Sequence, residues 1–339
     1  MEIFWFCMVA LMIAVYVVLD GFDLGAGAIH LLVAKTNEER KAVLESIGPF
    51  WDGNEVWLIA AGGTMFFAFP VLYASSFQGF YLPLMVVLWL LMARGLSIEL
   101  RNHLDAPMWR PLWDAGFCVS SLLLAVVFGA ALGNVVRGVP LDDTHEFFLP
   151  LWTDWKPSGN NPGILDWYTI LAGVTAMAAL ALHGALWVRY RTVAKVRDRA
   201  AALAGGLFLA VGLLTVVLSL ATFSVQPHIF QSFSAHRWGV IFPLLAVGGY
   251  AMTRARGELK AFLGSCVYLI GMLTSSTFGL FPYVLPSSID TQGSLTIWNA
   301  APTGYSLQVA LGWWLPGMAL ATIYFAFLYR RFAGKVQLS

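Results

Sequence analysis

Nine stretches of roughly 20 predominantly apolar residues follow one another along this 339-residue chain, at 3–33, 51–75, 77–101, 113–136, 164–189, 201–226, 237–254, 258–284 and 304–330. Hydrocarbon offers no water to backbone amides and carbonyls, so runs of this length must close their hydrogen bonds internally, as helices. The composition agrees: 59% of residues are hydrophobic and 12% charged, with a mean hydropathy of +0.72, where a soluble domain carries about 25% charged residues. The pattern predicts an all-α polytopic membrane protein. The first run has no basic segment before it, only Glu2, and its apolar part is long enough to span, so it reads as a retained helix.

Charge sets the orientation. Lys and Arg cluster in alternate connections and in the tail, and only Arg137, Lys156 and Arg237 fall on the other side, a split of 17 to 3 among the 20 basic residues. The positive-inside rule then places the C-terminus in the cytoplasm and, with nine spans, the N-terminus outside. Trp5, Trp152, Trp155, Trp167, Trp238, Trp298, Trp313 and Trp314 fall near the outer interface as an aromatic belt. The spacing suggests a first four-helix unit (1–138), an outer loop (139–163), a second four-helix unit (164–284), an outer loop (285–303), and a peripheral ninth helix with a cytoplasmic tail (304–339). A net charge of +1 argues against a nucleic-acid partner, which needs a basic excess. Cys7, Cys118 and Cys266 stand singly in apolar runs, without the spacing of a disulfide frame or of covalent haem attachment.

Against this apolar background the polar residues are informative. The stretch 48–73, GPFWDGNEVWLIAAGGTMFFAFPVLY, puts Asp52, Asn54 and Glu55 at the start of a spanning run, between Trp51 and Trp57 as packing or interface residues. An ionised side chain at mid-membrane costs about 2.5–3.5 kcal/mol on insertion scales, so such residues face protein or a wet cavity. Equally, Asp52 could cap the helix and Glu55 close a capping box. In the first helix Asp20, Asp23 and His30 share one face, and Gly21, Gly25 and Gly27 permit a close neighbour. The topology gathers Asp20, Asp23, Arg94, Glu99, Arg101 and Asp114 in the cytoplasmic half. They form either a hydrated proton inlet balanced by Arg94 or a set of interhelical ion pairs. His30 and His183 are the two histidines inside spans, and a bis-imidazole haem between them competes with plain hydrogen bonding. No nucleophile triad, phosphate loop or metal-spacing motif appears.

Several strings carry a family resemblance: LDGFDLGAG (19–27), PFWDGNEVWLIAAGGTMFFAFPVLYASSFQGFY (49–81), ARGLSIELR (93–101), WRPLWDAGF (109–117), FGAALGNVVRGVP (128–140), FGLFPYVLPSS (278–288) and SLTIWNA (294–300). The chain resembles subunit II of the cytochrome bd-type quinol oxidases, over nearly its whole length. The resemblance implies a nine-helix subunit of the bacterial inner membrane, paired with a larger subunit I that holds haems b and d and the quinol site and reduces O2 to water. It further implies that this chain binds no haem itself, that a structural quinone or lipid and small accessory subunits can accompany it, and that the acid matching Asp52 belongs to a proton path at the subunit interface. The acid matching Asp23 and the arginine matching Arg94 belong to the same polar interior. Some members carry Gln at position 55, so the resemblance does not make the Glu55 carboxylate obligatory. The loops 139–163 and 227–236 match no family pattern. Two other readings compete: a proton-coupled secondary transporter, which would want polar residues in both halves, and a purely structural membrane subunit.

Overall fold

A computed structural model describes residues 1–104, 106–157, 162–289 and 291–336. The long helices are α1 (Glu2–Val33), α3 (Trp51–Ala68), α5 (Tyr81–Leu100), α6 (Trp109–Arg137), α7 (Trp167–Arg191), α8 (Ala194–Val225), α11 (Glu258–Leu280) and α12 (Gly304–Arg331). Shorter ones are α2 (Asn37–Ile47), α4 (Pro70–Gly79), α9 (Pro227–Ala235) and α10 (Ile241–Met252). One small antiparallel pair, β1 (Tyr283–Leu285) and β2 (Leu295–Thr296), lies in the last long loop and was not foreseen in an all-α chain.

Among the described residues, seven helices are long and apolar enough to cross a membrane: α1, α5, α6, α7, α8, α11 and α12. The other two expected spans differ for local reasons. The run expected at 51–75 breaks at Phe69, because Pro70 has no N–H for a continuing helix and instead starts α4; its first part, α3, gives three opening positions to Asp52, Asn54 and Glu55. The run expected at 237–254 opens with a 3-10 turn, Arg237–Val240, which leaves only 12 residues to α10.

The first helix is the axis of the molecule, packing against α3, α6, α7 and α11. It approaches α7 so closely that a Cβ on Gly25 would lie 2.7 Å from the Gly184 amide nitrogen, the small-residue contact by which helices pack in lipid. Phe22, Ile29, Phe50, Trp187 and Phe262 fill one core cluster; Trp5, Met12, Trp57, Phe69 and Trp314 fill another. Leu209, Leu220, Ile323 and Phe327 are at least 65% exposed on α8 and α12, as expected of surfaces that meet acyl chains.

The helix α2 falls in what the hydropathy reads only as an inner connection. Thr36 and Glu39 form a capping box there, each side chain bonding the other's backbone amide. Glu39 also accepts from Arg199 of α8 at 2.7 Å. Burial works to raise the Glu39 carboxyl, but the Arg199 guanidinium and the amides of Lys35 and Thr36 outweigh it and hold it below the usual carboxylate range. A lowered carboxyl stabilises above the ordinary carboxylate range, and that stabilisation is lost as pH falls through the lowered value. Glu39→Ala is therefore expected to cost about 1–2 kcal/mol at pH 7, chiefly as a lost cap. Thermal scans of wild type and variant should differ by a few degrees at pH 7 and converge in acid; parallel curves at every pH would exclude the pairing.

Candidate functional site

The polar residues singled out in the sequence separate into two buried clusters. The inner one sits where α1, α3, α5 and α12 meet. Asp20 and Asp23, one turn apart on α1, are both buried, as is Asn54 on α3 and Arg94 on α5. Arg94 Nη1 lies 2.7 Å from Asp20 Oδ1, and Nη2 lies 3.4 Å from Glu55 Oε2. Asn54 Nδ2 donates to Asp23 Oδ2 at 2.8 Å and to the Leu19 carbonyl at 3.1 Å, while its Oδ1 accepts from the Tyr329 hydroxyl of α12 at 3.0 Å. Two carboxylates, Asp20 and Glu55, thus pair with a single guanidinium while the third, Asp23, is bonded only to the neutral Asn54, and Glu55 keeps partial solvent access at 21%.

The second cluster closes the C-terminal ends of α1 and α5 and the N-terminal end of α6. Asp114, itself buried, is held by a forked pair of bonds from Arg101, Nε at 2.6 Å and Nη2 at 3.2 Å, the bidentate geometry that guanidinium and carboxylate favour. Arg40 Nη1 joins at 3.0 Å and His30 Nε2 at 2.8 Å. Arg101 also donates to Asn37 Oδ1 at 2.9 Å. A cleft of about 340 Å³ lined by Asn37, Arg40, Pro107, Arg110 and Asp114 borders this cluster.

Two of the expected site residues join neither cluster. Asp52 and Glu99 are exposed on α3 and α5. Asp52 is also not the helix cap: Phe50 occupies that position with no side-chain bond, so the alternative capping box of Asp52 and Glu55 does not form, and Glu55 reaches across to Arg94 instead. Trp51 is half-buried and Trp57 buried, the latter tilted against Phe325 of α12. Sequence reasoning missed Tyr16, Arg40 and Tyr329. Tyr16 was findable, lying one turn before Asp20 on the same face; Tyr329 carried no signal, since nothing local ties it to a residue 275 positions earlier.

The two intramembrane histidines are both engaged by protein. His183 Nε2 meets the Val18 carbonyl at 2.9 Å and Nδ1 the Ser265 hydroxyl at 2.7 Å, while His30 is held by Asp114. These side chains do not fit an axial ligand pair, and no group of three or more His, Cys, Asp or Glu among the described residues is placed to hold a metal.

Fold and site together define a polytopic helical membrane protein with a buried, carboxylate-rich interior. The family model for cytochrome bd terminal oxidase subunit II matches residues 1–332, and the chain belongs to that family. It is 29% identical to a "Probable cytochrome oxidase subunit 2" of Haemophilus influenzae and to the "Cytochrome bd-I ubiquinol oxidase subunit 2" of Escherichia coli, each alignment covering 98% of this chain and 94% of the relative. With the "Cytochrome bd ubiquinol oxidase subunit 2" of Bacillus subtilis it shares 30% identity over 90% of this chain and 88% of the relative. The solved bd oxidase from Geobacillus thermodenitrificans has a chain of the same fold, with a TM-score of 0.72, 15% identity and 98% coverage of both chains. The protein is a multi-pass component of a terminal oxidase in the bacterial inner membrane.

Proposed function

We propose that this chain is the haem-free partner of a larger, haem-bearing subunit I in a quinol:O2 oxidoreductase, and that its inner cluster holds and passes cytoplasmic protons consumed when O2 becomes water. The proposal includes nine spans in two four-helix units and a peripheral ninth helix, with the N-terminus outside, which puts Asp114 and the basic connections at the cytoplasm. The haems of the partner supply electron transfer and oxygen chemistry; the contribution of this chain is protonic. The observation that carries the reading is a cluster of three carboxylates with one guanidinium, in which Asp20 and Glu55 pair with Arg94 and Asp23 is bonded only to the neutral Asn54. Burying three anions with one cation is costly, and a cluster with that imbalance is a place where a proton resides and can be exchanged. Asp52, exposed and one turn before Glu55, supports a receiving role at the lipid or partner face. The membrane quinol is the electron source, as the names of the relatives suggest. An apolar cavity of about 910 Å³, lined by Val9, Ile13, Ile59, Phe66, Phe77 and Val87 among others, suits a structural quinone tail or a lipid.

A purely structural role is favoured by one observation, the tight Arg94–Asp20 pair, and one experiment separates the readings. Tagged chain should co-purify with a haem-bearing partner and with quinol oxidase activity. In that complex Asp52→Asn should lower turnover several-fold at pH 9 and little at pH 6, with haem content unchanged. Equal turnover across that range would remove Asp52 from the path, and a chain that purifies without a haem-bearing partner would overturn the assignment.

A further inference from the structure

One face of α1 carries Tyr16, Asp20, Asp23, Gly27 and His30 at successive spacings of four, three, four and three residues. That is a single stripe, about 21 Å long at 1.5 Å per residue. It joins the two clusters described above. Along it lies a series of buried polar atoms with no hydrogen-bond partner among the described residues: the Tyr16 hydroxyl, Asp20 Oδ2, Asp23 Oδ1, His30 Nδ1 and, from α6, Ser121 Oγ. Ser121 is fully buried and its hydroxyl sits over Gly27, so closely that a Cβ there would collide with it. The absence of a side chain at position 27 is what brings this hydroxyl onto the stripe. Phe117 forms the apolar wall, its ring edge-on to His30 at 5.4 Å.

Buried polar atoms normally have partners, and where protein supplies none, ordered water commonly does. We infer that this stripe is a hydrated proton wire inside the chain, running from the cleft at Asp114 through His30 and Ser121 to Asp23. It deepens the reading given under Proposed function and rests on it. It is a separate inlet from the exposed Asp52. The step of seven residues from Asp23 to His30 spans about 10 Å, too far for a direct bond but bridgeable by the Ser121 hydroxyl with one or two waters on each side. A proton taken up at the His30–Asp114 pair leaves from the other ring nitrogen to water, crosses the serine and arrives at the free oxygen of Asp23. Asp23 then hands its proton on through the cluster, and the imidazole and the hydroxyl return to their starting tautomer and orientation before the next proton enters, so the net change is one proton moved. The charges facing His30 are Asp114, Arg101 and Arg40; those near Asp23 are Asp20, Arg94 and Glu55, with the Tyr329 hydroxyl beyond Asn54.

The test uses the assembled oxidase complex carrying Ser121→Ala, His30→Gln or Asp23→Asn. The glutamine keeps a donor for Asp114 but cannot relay a proton, and the alanine removes only the hydroxyl. Each of these two should lower quinol oxidase turnover about fivefold at pH 9, the rate equivalent of one hydrogen bond, and less at pH 6. Haem content should be unchanged and the solvent deuterium isotope effect should rise, which a packing defect alone would not produce. Wild-type pH profiles and isotope effects in both variants, with Asp23→Asn impaired, would overturn the wire and leave the carboxylate cluster supplied from Asp52. If Asp23→Asn is also unimpaired, the proton role of the cluster fails, and the wire with it.

Discussion

Asp23→Asn in the assembled complex is expected to leave haem content and thermal stability near wild type while lowering quinol oxidase turnover on the order of a hundredfold, the scale of a lost proton-transfer group. The substitution suits the question because of what surrounds the residue. Asp23 Oδ2 accepts from Asn54 Nδ2, and the amide oxygen of an asparagine can accept the same bond, so the link to α3 and onward to Tyr329 survives. Asp20 is a poorer choice, since neutralising it strips Arg94 of its nearest counter-ion at 2.7 Å and mixes a stability defect into the rate. Turnover should be measured from pH 6 to 9 with the haem spectrum recorded on the same samples. Wild-type rates throughout would show that the carboxylate at position 23 moves no proton that matters.

The second large effect concerns Arg94 and is structural. Its guanidinium is fully buried and is the one cation among Asp20, Asp23 and Glu55. Removing one partner of a buried ion pair costs about 3–5 kcal/mol, because the remaining charge is left desolvated and unpaired. Arg94→Ala should therefore yield little assembled complex, or complex that melts well below wild type. The cost belongs to the orphaned carboxylate rather than to the pair, so a double variant, Arg94→Met with Asp20→Asn, should recover much of the lost assembly without recovering turnover. A double variant as poorly assembled as the single would mean that Arg94 acts through its shape and not its charge.

Much of this architecture is readable in one dimension. Hydropathy over windows of helix length places the apolar helices, because lipid forces every spanning backbone to bond within its own segment. The expected limits 3–33 and 304–330 fall within a residue of α1 and α12. Where the limits moved, local chemistry explains it: α8 begins at Ala194 rather than 201, since its first turns bury Val196 and Ala200 while exposing charged neighbours, a mixed face that a hydropathy average conceals. The helix α2 was not expected, although Thr36 and Glu39 hold a capping-box spacing in an otherwise polar connection, a signal that hydropathy does not register.

The sequence by itself determined that the chain is helical and spans a membrane, and which carboxylates and arginines must be sheltered from lipid, because both follow from the cost of unsatisfied polar groups in hydrocarbon. Only the tertiary structure decided who shelters whom. One expected polar set became two clusters because Arg94 within α5 and Arg101 at its C-terminal cap, seven residues and nearly two whole turns apart, reach Asp20 of α1 and Asp114 of α6 respectively. Glu99 and Asp52 stayed outside both because their positions on α5 and α3 face away from α1. Tyr329 entered because α12 returns against α3 after the whole second half of the chain. A residue's helical face follows from local periodicity, but the partner across it depends on which helices pack together, and close contacts such as Gly25 against Gly184 fix that in three dimensions.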